Sequence, residues 1–392
     1  MPVRAARSAA GLDLLRPDDL PGRSVALLTH YAAVDMDGRP APAVVSALPG
    51  ATLRCILSPQ HGYWGETQDN MIEWEGYVHP YWGVPVHSLY GAVREPAPGM
   101  LAGADCVVVD LQDVGSRYYT YVHAMALTMR AAAREGLPVV VLDRHNPVGT
   151  SVVEGRPQLP GYLSYVGMYP IPVRHAMTTG ELARHFADCD GIPRPAVVRL
   201  GGGAHEAFPP ERPWVHPSPN MPSPATALVY PGMCLLEGTN LSEGRGTCRP
   251  FEIFGAPWLD ETALAGALAG GPFAEGADLL PHRFVPTSGK HAGLVCRGAI
   301  VRVGDPRSFR PLRLALGILA ECFASAGTAW SDPPYEYVWD RMPIDILTGD
   351  PDIRRAVEER DTGALLAASA GDPAAHAARV GSALLYERSF TA

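Results

Sequence analysis

"DCVVVDLQDVGSRYYTYVHAMALTMRAAAREGLPVVVLDR", residues 105–144, decides the fold. Both ends of the stretch are valine-rich runs with no polar alternation. Between them "YVHAMALTMRAAAREG" (121–136) is rich in Ala and Met and stops at Gly136, the pattern of a helix with a glycine at its end. Strands that are apolar on both faces and separated by a helix belong to a parallel sheet covered on both sides. Each run also ends in polar residues. Asp110, Gln112, Asp113 and Arg117 follow the first, and Asp143, Arg144 and Asn146 follow the second.

The same pattern extends upstream. "SVALLTH" (24–30) and "ATLRCILS" (51–58) read as two more buried strands, with a short helix at 43–50 between them. Thr29-His30 closes the first of these strands and Gln60-His61 follows the second. Open α/β sheets bind ligands beyond the carboxyl ends of their strands, so four polar strand ends predict one ligand-binding rim. The competing reading is local: Asp and Asn at such places also cap turns and helices.

From 147 to 226 the pattern loosens into proline, glycine and aromatics, with one helix at 178–189 that Thr178 or Thr179 caps. Residues 200–224 read as an irregular but ordered wall. A second unit starts near 227, with helices predicted near 260–270, 306–326 and 351–369 and one or two strands in 291–305. The expectation is an α/β protein: a Rossmann-like parallel-sheet domain over 1–226, then a smaller α+β domain over 227–392.

Composition narrows the function classes. The 41 acidic residues outnumber the 32 basic ones, for a net charge of −9, and no long Lys/Arg run occurs, so nucleic acid is not an expected partner. No window approaches the ~18 uninterrupted apolar residues of a membrane span. The basic start "MPVRAARSAAGLDLL" has no apolar core of a secretory signal, and cytoplasmic residence is the expectation. Seven scattered cysteines without a CxxC indicate neither a disulfide framework nor a zinc site. The histidines, including His61, His123, His175, His205 and His216, lack a metal-ligand spacing. "GGGAH" (201–205) lacks the Walker lysine, and there is no GxSxG elbow. No cofactor is expected.

Two stretches carry chemistry. "EGTNLSEGRG" (237–246) sets two carboxylates, Glu237 and Glu243, among Thr239, Asn240, Ser242 and Arg245, with glycines that allow close backbone approach. "SPQHGYWGETQDN" (58–70) places Gln60 and His61 at the rim, with Tyr63 and Trp64 as candidate walls and Glu66 in the same loop. Glycoside hydrolysis asks for two carboxyl groups, or one and a substitute, beside the scissile bond, together with groups that bind sugar hydroxyls and ring faces. The chain offers all of these, with Trp64, Trp82, Trp214 and Trp258 in or beside loop-like segments.

The chain resembles the exo-β-N-acetylmuramidase family, long a domain family of unknown function. The blocks that carry the resemblance are "DLQDVGSRYYTY" (110–121), "LDRHNPVG" (142–149), "VEG" (153–155), "VGMYPIPVRHAMTTGELA" (166–183), "PSPNMPS" (217–223), "YPGMCLLEGTNLSEGRGTCRPFEIFGAPW" (230–258) and "YEYVWDRMPIDILTG" (335–349). The resemblance implies a cleft between the two domains and removal of terminal N-acetylmuramic acid from peptidoglycan fragments, with no metal or nucleotide. Cell-wall recycling would fit such a protein inside the cell.

Two departures stand out. The family's block after the second strand reads Pro-Glu-His-Gly, with the glutamate as the proposed catalytic acid; here it reads "PQHG", with Gln60 in that place. An amide has the shape of a carboxylic acid but not its proton. In "HAM" (175–177) alanine stands where the family commonly has glycine. The candidate acids are therefore Glu66 first, then Asp113, Glu237 and Glu243. Candidate binding residues are Gln60, His61, Asp110, Gln112, Tyr121, Asn146, His175, Asn220 and Asn240, with Arg117 or Arg245 for the lactyl carboxylate. The alternatives are a binding module for muramyl sugars without catalysis, or an enzyme on another small acidic or sugar substrate.

Overall fold

In the computed structural model, residues 8–204 and 207–392 are described. His205 and the basic start of the chain lie outside the described residues. The first domain is built on a seven-stranded sheet: β1 (Ser24–Thr29), β2 (Thr52–Ser58), β3 (Tyr77–Val78), β4 (Pro85–Ser88), β5 (Cys106–Asp110), β6 (Val139–Leu142) and β7 (Ala196–Val198). The order is β3-β4-β2-β1-β5-β6-β7, and every neighbouring pair is parallel except β3 with β4. The four expected strands form its centre, where both faces are covered and the apolar runs are strongest. The unforeseen strands β3, β4 and β7 are short, partly exposed and at the edges, so they carry no apolar run.

Helices α1 (Ala41–Ser46), α2 (Tyr121–Arg134) and α3 (Thr179–Asp190) connect the strands. Thr178 caps α3 through the Glu181 amide at 3.3 Å, and the Glu181 carboxylate returns a bond to the Thr178 amide at 3.0 Å, a capping box. Gly191 ends α3 at φ 65°, a left-handed position that glycine adopts without strain.

The second domain begins with α4 (Pro224–Met233) and carries an antiparallel sheet of β8 (Ile253–Ala256), β9 (Ala277–Phe284) and β10 (Cys296–Val303), in the order β8-β10-β9. Its further helices are α5 (Glu261–Leu268), α6 (Pro311–Cys322), α7 (Pro343–Thr348), α8 (Pro351–Glu358), α9 (Thr362–Ser369) and α10 (Pro373–Val380). Residues 291–305 supply one strand, β10, within the one or two expected. Two expectations change here. The stretch 351–369 is two helices, broken at Arg360 (φ 55°) and restarted by the Asp361 cap on the Ala364 amide. Strand β9 was not expected, because none of "ADLLPHRF" is fully buried and its alternation breaks at the exposed pair Leu280-Pro281.

One apolar cluster runs from Val107 and Val109 of β5 through Val122 and Met125 of α2 to Leu235, Phe254 and Ile344 of the second domain. Burying one such side chain contributes ~1.5–3 kcal/mol, so continuity of the cluster across the seam holds the domains together. Val25, Leu27 and Val108 face a separate cluster with Leu12 and Val45 on the other side of the sheet. Among the described residues no helix is long and apolar enough to cross a membrane.

Candidate active site

The rim loops meet the second domain at a pocket. From the first domain it is lined by Gln60 and His61 beyond β2, by Tyr119, Thr120 and Tyr121 at the start of α2, and by Ser218 and Asn220. From the second domain come Tyr230 of α4, Glu237, Arg245, Tyr335 and Glu336.

Gln60 is buried, and both ends of its amide are engaged. Its Oε1 accepts from the Thr120 hydroxyl at 2.7 Å, which turns Nε2 toward Glu336 Oε1 at 3.4 Å. The Tyr90 hydroxyl donates to the other oxygen of Glu336 at 2.7 Å. Burial raises the Glu336 carboxyl above its ordinary range, and the neighbouring Glu237 adds to the shift. Glu336 and Tyr337 are the central residues of a tight turn closed by Tyr335–Val338 backbone bonds. Their φ values are 43° and 64°, the pattern of a type I′ turn, which ordinarily takes Asn or Gly. A left-handed glutamate and tyrosine cost about 1–2 kcal/mol each and persist only where surroundings impose them. Arg94 packs against this turn, its guanidinium 4.0 Å from the Tyr90 ring centroid and 4.8 Å from that of Tyr337.

Glu237 is the second carboxylate of the pocket. Arg245 Nη2 reaches it at 2.5 Å, and Asn70 Nδ2 and the Tyr335 hydroxyl each donate to its other oxygen at 2.7 Å. Arg245 is the only Lys or Arg among the described lining residues. His61, at φ 72°, donates from Nδ1 to the Thr67 carbonyl at 2.7 Å. Burial lowers its pKa to about 4, so at neutral pH it is an uncharged ring with Nε2 as acceptor.

Of the expected residues, the pocket brings together Gln60, His61, Tyr121, Asn220, Glu237 and Arg245. Tyr121 donates to the Pro217 carbonyl and Asn220 to the Gln68 carbonyl, so both also set the wall loops. The others lie outside the lining. Glu66 is exposed and folds back onto the Trp64 amide at 3.1 Å. Asp113 is bound to the Gly115 amide at 2.8 Å and lies 3.4 Å from His175 Nε2. Glu243 pairs with Arg245 and Lys290 behind the pocket. Asp110 holds Arg144 through two bonds, the Gln112 side chain bonds the Asp113 and His145 carbonyls, and Asn146 bonds the Met177 carbonyl and the Val148 amide. Asn240 ties down the 327–329 loop. Arg117 is fully buried and donates to the carbonyls of Arg156, Ile171, Leu347 and Thr348 at 2.8–3.0 Å, so its guanidinium clasps both domains and has no face for a lactyl group. At most strand ends the local reading therefore holds, with the polar residues locking the rim loops against one another.

The walls also differ from expectation. Tyr63 packs in the rear core, and none of Trp64, Trp82, Trp214 and Trp258 lines the pocket. Its aromatic walls are Tyr118, Tyr119, Tyr121, Tyr230, Phe251 and Tyr335. Among the described residues no group of three His, Cys, Asp or Glu is placed to hold a metal ion. The residue that sequence reasoning missed is Glu336. It stands inside the quoted block "YEYVWDRMPIDILTG", but an acid 276 positions from Gln60 gives no local sign of the contact.

Comparison with known proteins agrees with this architecture. Sequence profiles described as exo-β-N-acetylmuramidase NamZ match residues 25–225 (N-terminal) and 228–386 (C-terminal). The peptidoglycan β-N-acetylmuramidase NamZ of Bacillus subtilis strain 168 is 39% identical over 315 residues, 79% of this chain and 76% of that protein. A solved DUF1343 family protein of Bacteroides fragilis NCTC 9343 superposes with a TM-score of 0.84 at 25% identity, covering 97% of this chain and 100% of the other. A second DUF1343 protein of that organism superposes with a TM-score of 0.69 at 23% identity, covering 97% and 99%, a likeness of fold.

Proposed function

The chain belongs to the exo-β-N-acetylmuramidase NamZ family, and from that premise we propose that it hydrolyses a terminal N-acetylmuramyl residue from peptidoglycan fragments, with Glu336 as the general acid. The observation that carries this reading is the buried Glu336 carboxyl, held by Tyr90 and Gln60 at the pocket between the domains. Burial, the main cause of the raised Glu336 pKa, lets the carboxyl hold its proton to higher pH than a free glutamate, the direction a glycosidase acid needs. In this reaction Glu336 gives its proton to the leaving glycosidic oxygen as the bond to the anomeric carbon breaks. The 2-acetamido oxygen of the sugar attacks that carbon, and the Glu336 carboxylate then takes a proton from the water that completes hydrolysis. Glu237, already bonded by Arg245, Tyr335 and Asn70, supplies negative charge beside the developing cation. Arg245 meets the lactyl carboxylate, and His61 and Asn220 meet sugar hydroxyls.

Gln60 thus takes a positioning role in place of an acid role. The test is incubation with a chromogenic N-acetylmuramide and with the disaccharide of N-acetylmuramic acid and N-acetylglucosamine. Release from both is expected. Absence of release with intact binding by calorimetry would leave the non-catalytic muramyl-sugar module, the reading that the amide at position 60 favours.

A further inference from the structure

The pocket continues into an open groove. Asn220 lines both, and its amide reaches the Gln68 carbonyl in the groove wall at 3.0 Å. Arg245 lines the pocket and the next residue, Gly246, lines the groove. Gly246 has φ 76°, and a Cβ there would stand 2.5 Å from Ser288 backbone atoms. The Thr287 amide and hydroxyl both bond the Gly246 carbonyl at 2.9 Å. Glycine therefore lets the 244–247 loop lie directly on the 287–288 segment and makes the groove floor continuous with the pocket.

Beyond that floor the groove is lined by His282 and Phe284 of β9. They are two apart on one strand and so share a face. Their rings are nearly parallel, at 9° with centroids 6.3 Å apart, and both are partly exposed. Thr247, Ser288 and Gln68 add neutral hydrogen-bonding groups, and Asp, Glu, Lys and Arg are absent from the described lining residues. An aromatic strip with neutral polar groups suits the apolar ring face and hydroxyls of an uncharged sugar. It offers nothing to pair with the carboxylates of a peptide.

We propose that this groove holds the sugar on the leaving side of the cleaved bond, a neutral N-acetylhexosamine, so that the terminal sugar fills the pocket and the rest of the glycan runs over His282 and Phe284. The assignment rests on the hydrolase reading above. It is tested with the full chain, comparing His282→Ala/Phe284→Ala with wild type on a chromogenic N-acetylmuramide and on a bare tetrasaccharide of alternating N-acetylmuramic acid and N-acetylglucosamine. The double variant should lose about tenfold or more in kcat/KM on the tetrasaccharide and stay within about twofold on the aryl substrate, because only the former reaches the groove. Cys248→Trp, an exposed groove position, should give the same split by bulk and guards against a double variant that folds poorly. Equal losses on both substrates, or no loss on either, would overturn the assignment. If wild type releases nothing from any substrate, the hydrolase reading alone fails. The groove is then judged by calorimetric titration with the bare tetrasaccharide. The double variant should weaken its Kd about tenfold or more, and an unchanged Kd would remove the subsite.

Discussion

Gln60 Nε2 lies 3.4 Å from Glu336 Oε1, and this contact joins the loop after β2 to a turn of the second domain. The amide's other end is fixed by Thr120, so the donor, not the acceptor, faces the carboxyl. A position whose family residue is an acid thus serves here to hold another acid.

Glu336→Gln keeps the shape and the Tyr90 contact but removes the proton. If Glu336 is the general acid, kcat on the disaccharide should fall by about 10²–10⁴ while KM changes little. The melting temperature should stay close to that of wild type. A variant with near-normal kcat would move the acid elsewhere in the pocket.

Gln60→Glu brings a second carboxyl against Glu336. Like charges at this distance share one proton, so the first leaves at lower pH and the second at higher pH. The basic limb of kcat/KM should therefore move to higher pH than in wild type. A faster enzyme whose pH profile is unmoved would instead return the acid role to position 60.

Much of this was legible in the chain and some was not, for physical reasons. The central strands and α2 announce themselves through apolar runs and helical spacing, and Gln60-His61 falls at the rim because β2 ends there. Which rim residues face ligand is a different matter. Asp110, Asp113 and Asn146 have the residue types of a site, yet they satisfy buried loop backbone and Arg144, a choice that depends on partners distant in sequence. Glu336 is hidden for the same reason, since its turn gains meaning only through Tyr90, Arg94 and Gln60. Glu66 is the converse case: adjacent in sequence to the right loop, and turned away from the pocket.

Arg117 separates a structural role from a binding one. Arg117→Met strands four carbonyls, three of them buried and two at the end of α7 in the second domain, and should cost at least ~3 kcal/mol in urea unfolding. Arg117→Lys should recover only part of that, because one ammonium cannot reach the carbonyls a fork spans. Were the guanidinium a ligand for the lactyl carboxylate, Arg117→Lys would raise KM and leave the unfolding midpoint unchanged.

Ala176 follows the buried His175 at φ 53°, where the family commonly has glycine. A Cβ in this region costs about 1–2 kcal/mol, and glycine returns part of that through its freer unfolded chain. Ala176→Gly should therefore stabilise the protein by ~0.5–1 kcal/mol, read as a higher denaturation midpoint with unchanged slope. Destabilisation would mean that the buried methyl contributes more by packing than it costs by strain.

Glu154 supplies a pH test of the seam between the domains. It is buried, its Oε1 accepts from the Arg313 amide of α6 at 2.9 Å, and burial pushes its pKa up to about 7. The folded state thus holds a proton that the unfolded chain releases above ~4.5. The sign follows: this contribution to stability is complete below ~4.5 and is lost as pH rises through about 7. Glu154→Gln keeps the shape and stays neutral. Wild type should lose stability relative to this variant by ~1.4 kcal/mol per pH unit from ~4.5 upward, levelling off beyond about 7. The measurement is urea unfolding of both proteins from pH 5 to 8. Parallel curves would show that the carboxylate is already ionised at pH 5, held by the neighbouring Arg174, whose positive charge opposes the effect of burial.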